Sequence, residues 1–431
     1  MPRRCGVVVV ANHFNGLVDG ALLLAHLPRR PSFLAKSTLW DVPLLQPLLD
    51  LAGAIPVIRR QDLAPAGSSS PAGGAERNRE TFARCEELLA GGGVVALFPE
   101  GTTHPGPGLR PLRTGAARIA LRTATRAGAP SLSILPVGLH FDAPHRFRSR
   151  ALIEIGEPLV VEDVSGDDPP AVTRLTARIG TALEALTPSY ASWEEARLLE
   201  RAAELYRRHL ESGSAVTSGL PTEPTDQRRP YFDAYERLRR RHPDEVAAVV
   251  GSLVSYRRLL ATFGVREDLI ELGGVAVRAA IVWSIRRTAA LLVLLPLAAV
   301  GVVLNWPPYR LVGWVATRWA EGPEVVSTYK LSAALVAFPA MWGLESVALG
   351  LLAGLASGVA MLVLAPLSGL VALSFGERRR ELEERARTWV LLRRGRLAAE
   401  LARRREQILR QMEHLRELDR ESMALDDSSR S

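Results

Sequence analysis

The fold is decided by the stretch Val7-Val8-Val9-Val10-Ala11-Asn12-His13-Phe14-Asn15-Gly16-Leu17-Val18-Asp19. Its β-branched run predicts a buried strand over Gly6–Ala11, and the polar turn that follows carries a His and an Asp. Such a turn can return the Asp19 carboxylate to one imidazole nitrogen of His13, leaving the other free to take a proton from a hydroxyl group. A purely structural His–Asp pair is also common on loops, so the pair alone does not establish a site.

A second polar loop, Phe98-Pro99-Glu100-Gly101-Thr102-Thr103-His104, follows a second apolar run over Gly93–Phe98. Polar loops at the carboxyl ends of two parallel strands lie at the same edge of an α/β sheet, where ligands usually bind. We therefore expect the two loops to form one site.

Residues 6 to about 160 alternate short apolar runs with amphipathic stretches, which predicts an α/β domain. The other predicted strands are Ser32–Ala35, Ala54–Ile58, Leu132–Val137 and Ala151–Ile155. The predicted helices are Gly20–His26, Leu39–Leu51, Glu76–Ala90 and Thr114–Arg126. The Ala-, Pro-, Gly- and Ser-rich stretch 62–74 predicts a mobile loop beside the site.

Several segments, taken in order, resemble the four ordered motifs of the glycerolipid acyltransferase superfamily, which includes glycerol-3-phosphate and 1-acylglycerol-3-phosphate acyltransferases. The segments are His13 with Asp19, Gly53–Arg59, Phe98–Thr102 and Leu135–Val137. The ordered set is far more specific than any one member. The resemblance covers roughly residues 6 to 160 and implies a glycerol-3-phosphate acyltransferase-like αβ domain. The pattern of charge and hydropathy in the rest of the chain predicts a helical region and C-terminal membrane helices after it.

Two departures from the common motifs resemble one branch of this superfamily. Five residues separate His13 from Asp19, where most members have four, and Thr103-His104 stands where most have an Arg after the Thr. Both features resemble the yeast-type glycerol-3-phosphate/dihydroxyacetone-phosphate acyltransferases and their bacterial relatives.

The resemblance implies transfer of an acyl chain from a thioester to an alcohol. His13 is the expected general base, and Asp19 would hold its tautomer and stabilise the imidazolium. The substrate hydroxyl takes the place of an enzyme serine, so no covalent acyl-enzyme is expected.

Five further residues are expected to bind substrate: Arg59, Glu100, Gly101, Thr102 and Pro136. Arg59 would contact a phosphate, and Pro136 the acyl substrate, although a strand-edge Pro requires no such role. Glu100 would accept a hydrogen bond from a second substrate hydroxyl; the alternative is a loop cap that satisfies backbone donors. Gly101 allows close backbone approach of an anion.

Composition is consistent with these substrates. The chain has 54 Lys and Arg against 46 Asp and Glu, an excess that suits anionic surfaces and phosphate-bearing substrates, although a solvated Arg-rich surface gives the same balance. Aromatic residues are only 6% and do not interleave with the basic ones, which argues against nucleic acid. No segment has metal-ligand or dinucleotide-binding spacing, and Cys5 and Cys85 are expected to be core residues. The reaction then needs no cofactor, and acyl-CoA or acyl carrier protein enters as the donor substrate.

The chain is expected to comprise a catalytic domain (1–165), a helical accessory region (166–285), a membrane-embedded region (286–376) and a charged helical tail with a disordered end (377–431). Within the third region, 288–304 is expected to be re-entrant, interfacial or spanning, and 331–375 to form a helical hairpin that turns near Leu352–Gly354. Residues 305–310 between them predict an interfacial turn. A buried helical pair in a soluble protein is the alternative.

Arginine clusters at 286–287 and 378–380 favour the cytoplasmic side at both ends, hence an even number of crossings with the catalytic domain on the cytoplasmic face. The leading hypothesis is a membrane-bound enzyme that acylates the sn-1 hydroxyl of glycerol-3-phosphate in phospholipid biosynthesis. The runner-up acylates 1-acylglycerol-3-phosphate or another lysophospholipid, and a hypothesis of another class is a non-catalytic membrane scaffold.

Overall fold

The computed structural model describes residues 1, 5–41, 45–58, 71–104, 106, 108–126, 132–141, 147–161, 166, 168–187, 193–210, 225–265, 277–320, 323–392 and 396–430. It divides into two compact units. The first comprises Met1–Ala196, Pro221–Arg229 and Ala316–Ser332, and the second comprises Arg197–Leu220, Pro230–Val315 and Ala333–Ser431.

The strands described in the first unit form one mixed sheet of seven. They are β1 (Gly6–Ala11), β2 (Ser32–Lys36), β3 (Ile55–Val57), β4 (Val94–Leu97), β5 (Leu132–Phe141), β6 (Ala151–Ile155) and β7 (Leu159–Val160). The order is β3-β2-β4-β1-β5-β6, and β7 also pairs with β5. The first five strands in that order are parallel, whereas β6 and β7 run antiparallel to β5. The predicted α/β class is confirmed.

Helices cover both faces of this sheet, which explains why the whole of β1 is apolar and buried. The helices are α1 (Leu17–His26), α2 (Gln46–Leu51), α3 (Pro71–Ala90), α4 (Gly115–Ala124) and α5 (Pro169–Leu186). Alternate residues of β1 enter different clusters: Val8 and Val10 pack with side chains of α3, α4 and α5, while Val7 and Val9 pack with α1. The central strand is therefore fixed from both sides, and so is the loop that leaves it.

Three local predictions differ from the structure. The helix expected over Leu39–Leu51 is instead a 3-10 helix, Ser37–Asp41, followed by α2, with residues 42–44 outside the described part. Of the loop expected over 62–74, residues 71–74 belong to α3, which begins at Pro71, and residues 62–70 lie outside the described part. Strand β5 extends to Phe141 because its last residues pair with β6, a partner that local periodicity does not reveal.

The second unit is helical. The helices that supply it, wholly or in part, are α6 (Trp193–Leu210), α7 (Thr225–Arg241), α8 (Pro243–Phe263), α9 (Val277–Trp319), α10 (Pro323–Ala353), α11 (Leu355–Leu392) and α12 (Arg396–Arg430). Tyr206, Leu253 and Ile408 belong to an apolar core formed by α6, α8 and α12. Arg237 of α7 donates two hydrogen bonds to Asp419 of α12, at 2.9 and 2.7 Å.

Four of the described helices are long and apolar enough to span a membrane: α8, and long segments of α9, α10 and α11. Helix α9 continues through Pro296, Pro307 and Pro308, so the interfacial turn predicted at 305–310 is wrong. Helices α10 and α11 are separated at Gly354, whose φ of +92° favours glycine, and the flanking Leu352 is 85% exposed.

One polar side chain joins three of these apolar helices. Asn305 of α9 donates to the Ala365 carbonyl of α11 at 3.2 Å, and its Oδ1 accepts a hydrogen bond from Trp342 Nε1 of α10 at 3.0 Å. Gly369 makes room for it, because a Cβ at that position would lie 2.9 Å from the Asn305 amide. Hydrogen bonds between helices in an apolar environment stabilise a bundle, although each contributes modestly.

Asn305→Ala should therefore destabilise the helical unit by about 1–2 kcal/mol, since it removes both interhelical bonds. The measurement is thermal unfolding of the purified protein in detergent. Ser346→Ala is the matched control, because the Ser346 hydroxyl donates to Trp342 O within its own helix. Equal melting temperatures for Asn305→Ala and wild type would show that the three helices are held together without this residue.

Candidate active site

The two polar loops lie side by side at one edge of the sheet, as predicted. Strands β1 and β4 are parallel neighbours, with Val10 opposite Leu97, so the loop after each strand leaves at the same place. The backbone of His13 then makes two hydrogen bonds to the other loop: its N–H donates to Glu100 Oε1 at 2.8 Å, and its carbonyl accepts the His104 N–H at 3.3 Å. The backbone of His13 is thus held on both sides.

His13 and Asp19 form a direct side-chain pair. The distance from His13 Nδ1 to Asp19 Oδ2 is 2.9 Å, and the same oxygen accepts the Asn15 N–H at 2.8 Å. Asp19 is fully buried in the first turn of α1, where the helix N-terminus favours a negative charge. Gly16, with φ of +53°, precedes the helix and lets the chain turn tightly enough to bring Asp19 back. The five-residue gap is therefore compatible with the pair.

Two further side chains define the position of the His13 ring. Phe98 stacks on the imidazole with centroids 4.0 Å apart and planes inclined by 9°. Thr103 Oγ1 lies 2.8 Å from His13 Nε2, so both ring nitrogens have partners. The sequence alone assigned no role to Thr103. The signal that could have pointed to it is that Thr stands here where most members of the superfamily have Arg.

The Glu100 carboxylate is committed to protein donors. It accepts the backbone N–H groups of His13 and Arg110 and the ring N–H of His104, and it is only 3% exposed. The Gly106 N–H donates to His104 Nδ1, so Nε2 carries the ring proton and donates to Glu100. This arrangement favours the capping alternative for Glu100, with His104 as an additional member of the cap that sequence analysis left unassigned.

Asn12 braces the residue next to His13. Its Nδ2 donates to the Leu139 carbonyl at 2.9 Å, and its Oδ1 accepts the Leu139 N–H at 2.7 Å. The side chain is fully buried and pairs with the backbone of β5 just past the last ladder pair of β1. The pairing of β1 with β5 is thereby continued up to the site.

The structure describes three of the other four predicted binding residues: Gly101, Thr102 and Pro136. Gly101 has φ of +71° and is crossed by the Arg113 side chain, which a Cβ would approach to 2.8 Å. Thr102 is half-buried beside it, and its hydroxyl donates to the Thr103 carbonyl at 3.3 Å. Pro136 lies inside β5, opposite Val10, where the antiparallel partner of β5 changes from β7 to β6. This position favours the alternative in which Pro136 is a structural residue of the strand and has no role in binding. Arg59 lies outside the described residues.

The cysteine thiols are remote from this chemistry. Cys5 and Cys85 are buried in the apolar clusters on the two faces of the sheet. Burial raises the pKa of the Cys85 thiol to about 12, so it is protonated near neutral pH and is a poor nucleophile.

The sequence that forms this site can be compared with the sequences of known protein families. Residues 1–140 match the family model described as Acyltransferase. The amino-terminal domain is therefore similar to the Acyltransferase family, and the resemblance drawn from the four motifs is confirmed.

Three curated proteins that are similar to this chain are acyltransferases by name. An uncharacterised acyltransferase of Schizosaccharomyces pombe is 26% identical over 298 residues, which cover 65% of this chain and 43% of the relative. Glycerol-3-phosphate O-acyltransferase 2 of Saccharomyces cerevisiae is 26% identical over 295 residues, 64% of this chain and 39% of the relative. A 1-acyl-sn-glycerol-3-phosphate acyltransferase of Borreliella burgdorferi is 28% identical over 140 residues, 32% of this chain and 48% of the relative. The matches span less than half the length of each of these relatives.

Glu100→Gln should weaken both folding and catalysis. The amide NH₂ would face N–H groups that now donate to the carboxylate, and we expect this to lower the free energy of unfolding by about 2–4 kcal/mol. Release of the His13 backbone should also reduce any acyl-transfer rate at least about tenfold. Thermal unfolding and kcat are the two measurements. Glu87→Gln, on the exposed side of α3, is the matched control. A Glu100→Gln protein with wild-type stability would contradict the role of the carboxylate as a clamp between the loops.

Proposed function

We propose that this protein transfers an acyl chain from acyl-CoA or acyl carrier protein to the sn-1 hydroxyl of glycerol-3-phosphate, at a membrane, in phospholipid biosynthesis. The observation that carries the proposal is the buried Asp19 carboxylate 2.9 Å from His13 Nδ1, at a sheet edge of a domain similar to the Acyltransferase family. A carboxylate accepts hydrogen bonds, so Nδ1 carries the proton and Nε2 is the basic nitrogen.

The reaction follows from that tautomer. The acceptor hydroxyl gives its proton to His13 Nε2 as its oxygen attacks the thioester carbonyl, and Asp19 stabilises the imidazolium that forms. The tetrahedral intermediate then collapses, and the thiolate leaves and takes the proton back from Nε2. The acyl group passes directly to the acceptor, so neither a covalent acyl-enzyme nor a cofactor is needed.

Substrate binding uses residues around this base. Arg59 is proposed to hold the acceptor phosphate, as the family resemblance implies, because a guanidinium matches phosphate geometry. The backbone at Gly101 and Thr102, which the Arg113 side chain crosses at the glycine, is proposed to face the oxyanion or a phosphate. Glu100 is proposed to act through the two loops that it joins.

The acceptor could instead be 1-acylglycerol-3-phosphate, since both acceptors present a hydroxyl and a phosphate. The named relatives include one of each kind. The match to the yeast glycerol-3-phosphate enzyme extends over 295 residues, whereas the match to the lysophosphatidate-type enzyme is 140 residues long, the length of the family domain. The longer match favours glycerol-3-phosphate.

His13→Ala should lower kcat by about 10²–10⁴-fold, because it removes the general base. The assay uses the purified full-length protein, acyl-CoA or acyl carrier protein donors, and glycerol-3-phosphate and 1-acylglycerol-3-phosphate as acceptors. His26→Ala is the matched control, since His26 is an exposed residue at the end of α1. A scaffold would transfer nothing to either acceptor, and a fully active His13→Ala variant would show that the base is wrong.

The proposed cytoplasmic orientation of the catalytic domain rests on the arginines at 286–287 and 378–380. Alkaline carbonate and high salt should leave the protein in the membrane fraction, because an embedded helix is held by apolar burial that these treatments do not weaken. The measurement is immunoblotting of supernatant and pellet, with a peripheral membrane protein as the control. Quantitative release into the supernatant would contradict the membrane-embedded helices.

A further inference from the structure

Both nitrogens of the His13 ring are engaged within the protein. Nδ1 lies 2.9 Å from Asp19 Oδ2, and Nε2 lies 2.8 Å from Thr103 Oγ1. Because Nδ1 donates to the carboxylate, Nε2 of the neutral ring has a lone pair and no proton. The Thr103 hydroxyl must then be the donor. The residue at position 103 thus uses the same lone pair that the proposed reaction assigns to the acceptor.

A general base of this kind in a transferase can activate either of two hydroxyl-bearing nucleophiles. One is the acceptor, and the other is water, whose attack on the thioester would release a carboxylic acid and a thiol without acylating anything. Water is present at about 55 M, so a free Nε2 beside a bound thioester would favour this hydrolysis. A transferase therefore gains if the base is covered until the acceptor arrives.

Resting on the proposed function, we propose that Thr103 is a specificity-determining residue that withholds Nε2 of His13 from water. Its hydroxyl occupies the position of the attacking oxygen when the acceptor is absent. The acceptor hydroxyl displaces it, helped by the binding of the rest of that substrate, whereas a single water has no such additional contacts. The residue thereby biases the reaction toward alcoholysis.

The surroundings of Thr103 suit a side chain that turns aside. The next residue, His104, is buried and hydrogen-bonded to Glu100, so the backbone that follows Thr103 is held in place. Thr103 itself is half-buried, and its hydroxyl is hydrogen-bonded to His13 Nε2. Rotation about χ1 removes the hydroxyl from Nε2 without breaking the Asp19 or Glu100 contacts. Loss of one neutral hydrogen bond corresponds to about a fivefold change in an equilibrium constant.

The test compares Thr103→Ala and Thr103→Ser in the purified full-length protein with acyl-CoA as donor. Thiol release is measured without acceptor, which reports hydrolysis, and with glycerol-3-phosphate, where the acylated product is quantified. In Thr103→Ala, the ratio of hydrolysis without acceptor to transfer at saturating acceptor should rise about fivefold, and the acceptor KM should fall by a similar factor, with kcat for transfer maintained. Thr103→Ser keeps the hydroxyl and should behave like wild type. Thr125→Ala, at the end of α4, is the matched control.

Further variants separate the possible explanations. The additional hydrolysis in Thr103→Ala should disappear in the double variant with His13→Ala, because the water is activated by that ring. An unchanged ratio in Thr103→Ala would overturn the inference while leaving acyl transfer by the wild type intact. Loss of both reactions in Thr103→Ala, with an acyl group found on Thr103 of the wild type by mass spectrometry, would make Thr103 a nucleophile and overturn it as well. A wild type that acylates neither acceptor would remove the proposed function, and the inference with it.

Discussion

The hydrogen bond from the His13 backbone to the Glu100 carboxylate joins two loops that are 87 residues apart in sequence. Strand pairing brings the loops to the same edge, but it does not fix their distance once the chain has left the sheet. Glu100 does so by accepting from His13, Arg110 and His104. A buried carboxylate is unfavourable unless donors compensate its lost hydration, so the cap and its donors stabilise one another.

The ring of His13 is oriented by contacts of different kinds. Phe98 restricts its plane by stacking, Asp19 selects its tautomer, and Thr103 covers the remaining nitrogen. Each contact comes from the carboxyl end of β1 or β4 or from the first turn of α1. The catalytic proposal needs one further event, replacement of the Thr103 hydroxyl by a substrate hydroxyl at the same nitrogen.

The helical unit uses polar contacts sparingly within apolar surroundings. Asn305 links three helices, and Arg287 of α9 pairs with Glu381 of α11 at 2.6 Å near the apolar parts of both helices. The Arg385 guanidinium lies 4.7 Å from the ring centre of Trp283, which adds a cation–π contact to that group. Apolar sequence alone predicted membrane helices here, but the continuity of α9 through three prolines was not predicted. Neighbouring helices, hydroxyl side chains and local changes in helix geometry can satisfy the carbonyls that a proline leaves without a donor, so a proline in apolar surroundings need not end a helix.

Residue order and periodicity determined the α/β class, most strands of the sheet and the two loops at one edge, because parallel strands with buried β-branched runs place their carboxyl ends together. They also determined that His13 and Asp19 belong to one turn. The tertiary structure decided which partners the remaining side chains take: Glu100 and Pro136 are used within the protein, Asn12 pairs with Leu139, and Thr103 meets His13 across 90 residues. Such choices depend on distances of a few tenths of an ångström between segments remote in sequence. Local propensity does not encode those distances, because they arise only when the whole sheet and its covering helices have packed.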